Sequence, residues 1–493
     1  MAKKSSTLPL NLREPPAGMP LYRWLYEELR TAILAGHLSP GSRLPATRDL
    51  AAEYKLSRPT IVTAFDQLRG EGYVEGRPGS GTYVSEVLPE EFLQTPRTDA
   101  RTKRPRRKIR LSAYARRLHP LHRTESRSAR AFRASKPALD EFPAALWAQV
   151  AARRLRRVSA NLLAGEGGMG YHPLREAVAE YLNTSRGVKC SADQVLIISG
   201  VQQALDRTAH LLLDAHDPVW LEAPGYPGAA YAFQAVGAKI CPVPVDAEGL
   251  TVELGERRCA RPRLVYVTPA HQFPLGVTMS LRRRLSLLEW ARKSGALIFE
   301  DDYDSEYRYS GRPIPALQGL DRAGAVIFAG SFSDVLFPAL RLGYVVLPSE
   351  MVDIFAAAES VSTHQPPLLD QAILCDFINE GHFARHVRRM RELYAERLAT
   401  LLECARRQLK GLLEIPNVEA GLRTVGWLQN GIRAESAAEA AAARQVEVVP
   451  LQRYAWGRAD REGLVIGFAA FNSREIRRGV EQLAAALEEC RSS

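Results

Sequence analysis

At 493 residues the chain exceeds what one hydrophobic core organises, and two or three folded units are expected. The composition, 46% hydrophobic and 25% charged, is ordinary for a soluble protein, and no run of about 18 apolar residues reads as a membrane span. The formal charge of +11 is unevenly placed: Arg97 to Arg133 holds 14 Lys/Arg against Asp99 and Glu125, which points to a polyanionic partner.

In chain order, Pro20 to Gly36 predicts an amphipathic helix, with Leu21, Leu25, Leu29 and Ile33 recurring every four residues beside Tyr22 and Ala32. Leu38-Ser-Pro-Gly41 stops it. A short helix from Thr47 to Tyr54 follows, with Leu50 and Ala51 apolar. The turn Lys55-Leu-Ser57 leads into a third helix, Arg58 to Arg69, where Ser57 is a suitable N-cap and Pro59 sits in the first turn. Ile61, Val62, Phe65 and Leu68 are its expected core face. Gly72-Tyr-Val-Glu75, the turn Gly76 to Gly81 and Thr82-Tyr-Val84 then read as a hairpin. Helix, helix-turn-helix and hairpin make a winged helix, expected over residues 18–86. Leu44-Pro-Ala-Thr-Arg48, Ser57-Arg-Pro-Thr60, Glu71-Gly-Tyr73 and Gly79-Ser-Gly-Thr-Tyr-Val84 resemble the GntR-type DNA-binding domain. That resemblance implies double-stranded DNA as partner. Arg58 and Thr60 of the third helix would face the major groove, and Arg48 and Ser57 the backbone. Arg77 and Gly79, at the wing tip, would face the minor groove.

From residue 87 to 133 apolar residues are sparse and arginines dense, with Arg104-Pro-Arg-Arg-Lys108 the most charged point. Such a stretch is expected to be a mostly extended linker. It either only tethers its neighbours or also lies along DNA phosphates.

Residues 134–493 alternate strand-like and helical runs, the pattern of an α/β domain with a mainly parallel sheet. Val195 to Ile198 leads through Ser199-Gly-Val-Gln-Gln203 into a helix, an arrangement that offers N–H groups to an anion. Val219-Trp-Leu221 precedes Glu222-Ala-Pro-Gly-Tyr226. Leu264 to Thr268 precedes Pro269-Ala-His-Gln272, and Ala296 to Phe299 precedes Glu300-Asp-Asp-Tyr-Asp304. Ala325 to Ala329 and Tyr344 to Leu347 flank Gly330-Ser-Phe-Ser-Asp334 and its continuation to Arg341. Loops at the carboxyl ends of strands are where such sheets bind ligands.

Together, and with His382 to Arg391 and Ile466-Gly-Phe-Ala469, these segments resemble the class I aminotransferase domain (fold type I, pyridoxal phosphate). They are closer still to the MocR-type branch of GntR regulators. The resemblance implies that Gly200, Val201 and Gln202, with Ser331, Ser333 and Arg341, would hold a cofactor phosphate. It further implies that Tyr226 stacks on the pyridine ring, that Asp301 pairs with the ring nitrogen, and that Tyr303 and Gln272 reach the ring hydroxyl. Two departures stand out. Where the family has the lysine that binds the cofactor covalently, this chain has Asp334, so no catalytic residue and no metal ligand is assigned. Leu162 to Gly170 also lacks the tyrosine that relatives place near Gly165.

Three functions follow. A transcriptional regulator would sense a small amine or a vitamin B6 phosphate, either pyridoxal or pyridoxamine 5'-phosphate, held non-covalently. A pyridoxal-phosphate enzyme is disfavoured by the missing lysine. A ligand-free regulator would use the large domain only to pair. A homodimer is expected, because relatives pair through the large domain. Six scattered cysteines without a Cys-x-x-Cys pair, and Met1-Ala-Lys-Lys-Ser-Ser without the apolar core of a secretory signal, suggest a cytoplasmic protein. Replacing Arg104, Arg106, Arg107 and Lys108 with glutamine should flatten the salt dependence of DNA affinity, by up to about three in log–log slope. An unchanged slope in filter binding would leave the segment only its tether role.

Overall fold

The computed structural model describes residues 15–16, 18–77, 80–88, 110–117, 131–134, 136–165, 168–311, 315–362, 366–416, 418–456 and 461–492. The chain divides into two compact units, Met1–Ile109 and Arg110–Ser493.

In the first unit, α1 (Leu21–Leu34) packs on α3 (Arg58–Gly70), with α2 (Thr47–Glu53) lying against α3. Trp24, Leu25, Leu29 and Ile33 meet Leu50, Ile61, Ala64, Phe65 and Leu68 in one core. Leu21 and Val62, both expected inside, are exposed. Ile61, Ala64, Phe65 and Leu68 form the buried stripe of α3, and Val62 is turned about 100° from Ile61, outside it. The wing is the antiparallel pair β1 (Val74–Arg77) and β2 (Gly81–Val84), in register Val74 to Val84 and Arg77 to Gly81. It starts two residues later than expected. Gly72, at φ +84°, instead ends the helix, and Tyr73 N–H donates to Leu68 O at 2.9 Å. Arg30 Nε donates to the Tyr73 hydroxyl at 2.7 Å, joining the wing base to α1.

The second unit is built on an eight-stranded sheet. Its strands are β3 (Val195–Ile198), β4 (Pro218–Ala223), β5 (Lys239–Asp246), β6 (Gly249–Leu250), β7 (Leu264–Val267), β8 (Leu297–Asp302), β9 (Val326–Ser331) and β10 (Gly343–Val346). Their order is β3-β10-β9-β8-β7-β4-β5-β6. The strands from β9 to β5 run parallel, and β10 and β6 are antiparallel to their neighbours. β3, β7 and β10 are apolar and buried along their whole length, as a sheet covered on both faces requires. On one face Trp220 of β4 stacks on Trp290 of the helix Leu281–Ser294, with ring centroids 4.1 Å apart and planes 18° apart. A smaller antiparallel sheet follows: β11 (Leu413–Glu414), β12 (Arg423–Leu428), β13 (Val449–Pro450) and β14 (Gly463–Gly467), ordered β11-β12-β14-β13. The 27-residue helix His382–Gln408 and the helix Ser473–Ser492 pack together beside it. Among the described residues no helix is long and apolar enough to cross a membrane.

β8 extends three residues beyond the apolar run, so Glu300, Asp301 and Asp302 are strand residues, all buried. Successive side chains leave a strand on opposite faces. Glu300 accepts the N–H groups of Leu317 and Gln318, both at 2.8 Å, at the start of the short helix Leu317–Leu320. Asp302 pairs with Arg186 at 2.8 Å.

The stretch Arg104 to Lys108 lies outside the described residues. Ala113–Arg117, expected as linker, is a short helix of the second unit. Ala131 to Arg133, read as linker from sequence, pack into the second unit. Phe132 is fully buried, its carbonyl accepts Gly467 N–H at 2.9 Å, and Ala131 O accepts Glu447 N–H at 2.8 Å. Composition concealed this because one aromatic among arginines carries the anchorage. Phe132→Ala should destabilise the second unit by about 3 kcal/mol or more, read from urea unfolding followed by tryptophan fluorescence.

Candidate functional site

The carboxyl ends of β3, β9, β8 and β7 and the loop after β4 come together, with Tyr226 among the charges of Asp301, Asp334, Arg423 and Arg341. At the anionic end of this site, Gly200 adopts φ +122°, ψ 163°, a conformation essentially restricted to glycine, and releases the chain into the helix Val201–Leu212. The first N–H groups of that helix have no intrahelical partner, and its dipole adds positive potential. A Cβ on Gly200 would lie 3.9 Å from Arg341 Nη1, so the guanidinium sits over this turn. Ser333 N–H donates to Ser331 Oγ at 3.1 Å, while Ser333 Oγ is buried with no hydrogen-bond partner among the described residues. A glycine turn, a helix start, a forked cation and an idle hydroxyl suit a phosphate dianion.

Beyond it lies a slot for a flat ring. The Tyr226 hydroxyl donates to Gln202 Oε1 at 3.3 Å, and its ring meets Phe273 edge-on at 5.5 Å. Gly228 is required here, since a Cβ would approach the Tyr226 ring to 2.5 Å. On the slot's floor, Asp301 Oδ2 accepts the Tyr266 hydroxyl at 2.7 Å, and Oδ1 is buried without a donor. Burial pushes the Asp301 carboxyl up to about 7, the Tyr266 bond opposes this, and Asp302, Asp334 and Asp304 add to it. A protonated ring nitrogen at Oδ1 would supply the missing donor and reverse the shift. The residues present therefore fit a pyridine phosphate.

Two expected contacts are drawn elsewhere. Gln272 is buried, and its amide is spent within its own surroundings: Nε2 donates to Phe273 O at 2.6 Å, Pro224 O at 2.9 Å and Glu222 Oε2 at 3.2 Å. That geometry is at odds with a contact to a ring hydroxyl, because the loop's own carbonyls consume the donors. The Tyr303 hydroxyl donates to His271 O at 2.8 Å and lies 3.0 Å from His271 Nδ1, which in turn faces Asp304 at 3.0 Å.

Asp334 follows β9 and is half-buried. Its burial pushes the carboxyl up to about 6, Arg423 pulls it down and Asp304 raises it further. Arg423, which no sequence motif singled out, opens β12 and lays its guanidinium over Phe273 at 4.5 Å and Tyr303 at 4.9 Å. Its own pKa is raised: burial opposes this, and the Tyr303 and Asp304 charges outweigh it. A lone arginine in the smaller sheet gives no local signal. Tyr266, inside an apolar strand, gave only a weak one.

In the first unit, Ser57 caps α3, its Oγ accepting Thr60 N–H at 3.3 Å and lying 2.7 Å from Thr60 Oγ1. Arg58 and Arg48 are exposed. Arg77 is exposed too, forked onto Glu75 at 3.0 and 2.7 Å and lying over the Tyr83 ring at 4.7 Å. An exposed pair of this kind stabilises little and yields readily to a phosphate. Gly79 lies outside the described residues.

Residues 21–84 match the family described as bacterial regulatory proteins, gntR family, and residues 144–421 match aminotransferase class I and II. The chain is 40% identical to the probable rhizopine catabolism regulatory protein MocR of Rhizobium meliloti, over 97% of this chain and 96% of that protein. It is 28% identical to the HTH-type pyridoxine biosynthesis transcriptional regulator PdxR of Corynebacterium glutamicum, over 95% of each. The α-aminoadipate aminotransferase LysN of Thermus thermophilus, complexed with N-(5'-phosphopyridoxyl)-L-leucine, superposes with a TM-score of 0.68. That match is at 30% identity and covers 73% of this chain and 92% of LysN.

Asp334 sets a pH dependence. Its folded pKa, about 6, lies above the ordinary 3.8, so the folded state holds the proton more tightly than the unfolded chain. Its contribution is full below about pH 4, is lost between about 4 and 6, and leaves a constant deficit above. Asp334→Asn should therefore exceed the natural protein in stability at pH 8 by about 3 kcal/mol or less. Urea unfolding at pH 8 and pH 4 should show that difference shrinking toward zero at the lower pH.

Proposed function

The chain belongs to the MocR-like regulators of the gntR family, and from that premise we propose that its large unit senses an amine-bearing vitamin B6 phosphate, or a related small amine, without covalent capture. It is a DNA-binding transcriptional regulator with an aminotransferase-like domain. The observation that carries the sensing reading is a set of groups around one pocket. Asp301 Oδ1 and Ser333 Oγ are buried and idle, and the Asp334 carboxyl stands beside them.

Gly200, Val201, Gln202, Ser331, Ser333 and Arg341 would hold the phosphate. Tyr226 would cover the ring and Asp301 would keep its nitrogen protonated. Pyridoxal phosphate, when bound in an enzyme of this fold, supplies an electron-withdrawing ring to a substrate amine. Here the chain's own groups do other work. A carboxylate cannot form a bond to the aldehyde carbon that replaces a lysine's, but it can accept two hydrogen bonds from an ammonium group. Lys293, the nearest lysine in sequence, is exposed on the outer face of its helix and paired with Glu289 at 3.2 Å, so it cannot stand in. Arg423 keeps part of the Asp334 charge in place, which leaves the site receptive to a cation. Catalysis is thereby disfavoured and recognition retained.

A homodimer would present two winged helices to repeated half-sites, with Arg58 and Thr60 at the start of α3 against the bases. Its large-unit pocket would then report ligand to the DNA-reading unit.

Isothermal calorimetry with pyridoxamine and pyridoxal phosphates tests the ligand. The amine form should bind about tenfold tighter, a difference near 1.4 kcal/mol, and Asp334→Lys should reverse the preference. Borohydride should fix the aldehyde form to Asp334→Lys and leave the natural chain unlabelled. Equal or tighter binding of the aldehyde form by the natural chain would overturn the proposal.

A further inference from the structure

The end of β8 and the segment that follows it serve two sites. Asp301 and Tyr303 belong to the pocket above, whereas Glu306 and Arg308 line a separate cavity of about 390 Å³. Its wall is completed by Tyr181 and Arg186, at and just beyond the end of the helix His172–Ser185, and by Arg388 and Arg391 on the first turns of the helix His382–Gln408. The volume is in the range that takes a small ligand.

Four arginines around one cavity need counter-charge, and the protein supplies only part of it. Asp302 meets Arg186 at 2.8 Å and Glu419 meets Arg308 at 3.0 Å. Arg391 Nε donates only to a neutral acceptor, Glu306 O, at 3.0 Å. Arg388 and Arg391 are exposed at the rim. The buried wall is also incompletely bonded. The Arg186 side chain is 9% exposed, yet its Nη2 has no hydrogen-bond partner among the described residues. Glu306 accepts the Tyr181 hydroxyl at 2.7 Å through Oε1, while Oε2 has no donor. Burial pushes that carboxyl up to about 7, so a proton is available there near neutrality. A buried guanidinium N–H left without an acceptor is costly, and an oxyanion in reach would recover that cost.

We propose that this cavity is a second ligand site, which binds a small oxyanion through its arginines. Guanidinium forks match the two oxygens of a carboxylate or a phosphate, and both share that chemistry. The site does not depend on the vitamin B6 reading, because none of its residues lines that pocket. An anion held here would tie the segment after β8 to the long helix of the smaller sheet.

Calorimetry on the full chain with inorganic phosphate and with succinate tests it. Because phosphate also suits the pocket of Arg341, both titrations are run on Arg341→Gln protein; at least one anion should bind, and adding Arg388→Gln/Arg391→Gln should weaken it tenfold or more. Binding of phosphate alone or of succinate alone identifies which oxyanion the site prefers. Should the double variant not fold, Arg388→Gln alone should cost threefold or more. No binding of either anion to the Arg341→Gln protein, or binding that the rim substitutions leave unaltered, overturns the proposal.

Discussion

The pattern of burial along β8 sets the arrangement of the large unit. Three successive carboxylates, Glu300, Asp301 and Asp302, sit in the middle of a sheet covered on both faces, where an isolated charge is costly to keep. A strand cannot send neighbouring side chains the same way, so each acid meets a different solution. Glu300 collects two N–H groups at a helix start, and Asp302 takes Arg186. Asp301 accepts the Tyr266 hydroxyl, and its Oδ1 has no hydrogen-bond partner among the described residues. Only Glu300 has both oxygens paired; Asp301 and Asp302 each keep a buried Oδ1 without a partner among the described residues, and of these two it is Asp301 that lies beside Tyr226 and Asp334.

Around it, the chain spends unusual local conformations to bring charge together. Gly200 at φ +122° and Arg341 at φ +51° are far apart in sequence, yet the antiparallel insertion of β10 between β3 and β9 makes their turns neighbours. That insertion explains why a guanidinium can sit over the start of the helix Val201–Leu212. From the other side, the smaller sheet delivers Arg423 against Phe273 and Tyr303. The site thus spans both sheets of the second unit, and its balance of charge depends on how they pack. Asp334 lies within reach of that balance, between an arginine that favours its ionised form and a burial that opposes it.

The proposed function separates recognition from bond formation on physical grounds. Binding a phosphate and a ring uses backbone N–H groups, a stacked tyrosine and a buried acid. Bond formation uses one nucleophile. On the proposed reading, a carboxylate at Asp334 in place of that nucleophile would change the sign of one group and leave the other pocket residues in place. The DNA-reading unit asks for less precision. Ser57 fixes the start of α3, a small core with Trp24 at its edge fixes α1 against it, and exposed arginines are carried on those supports.

Much of this was legible in the sequence because it is local. The stripes of α1 and α3, the Ser57 cap, the strand–glycine–helix at Ile198 to Val201 and the apolar runs flanking Ser331 to Asp334 are patterns of neighbouring residues. They set the elements to within a few positions. The misses have one cause. Phe132 joins the second unit, Gln272 turns onto Pro224 and Phe273 carbonyls, and Arg423 enters the pocket from another sheet. Each depends on a partner that sequence distance hides. The sequence alone determined which elements form and which chemical groups they carry. The tertiary structure decided which of those groups are satisfied and which are left idle, because satisfaction of a buried polar atom depends on its spatial neighbours.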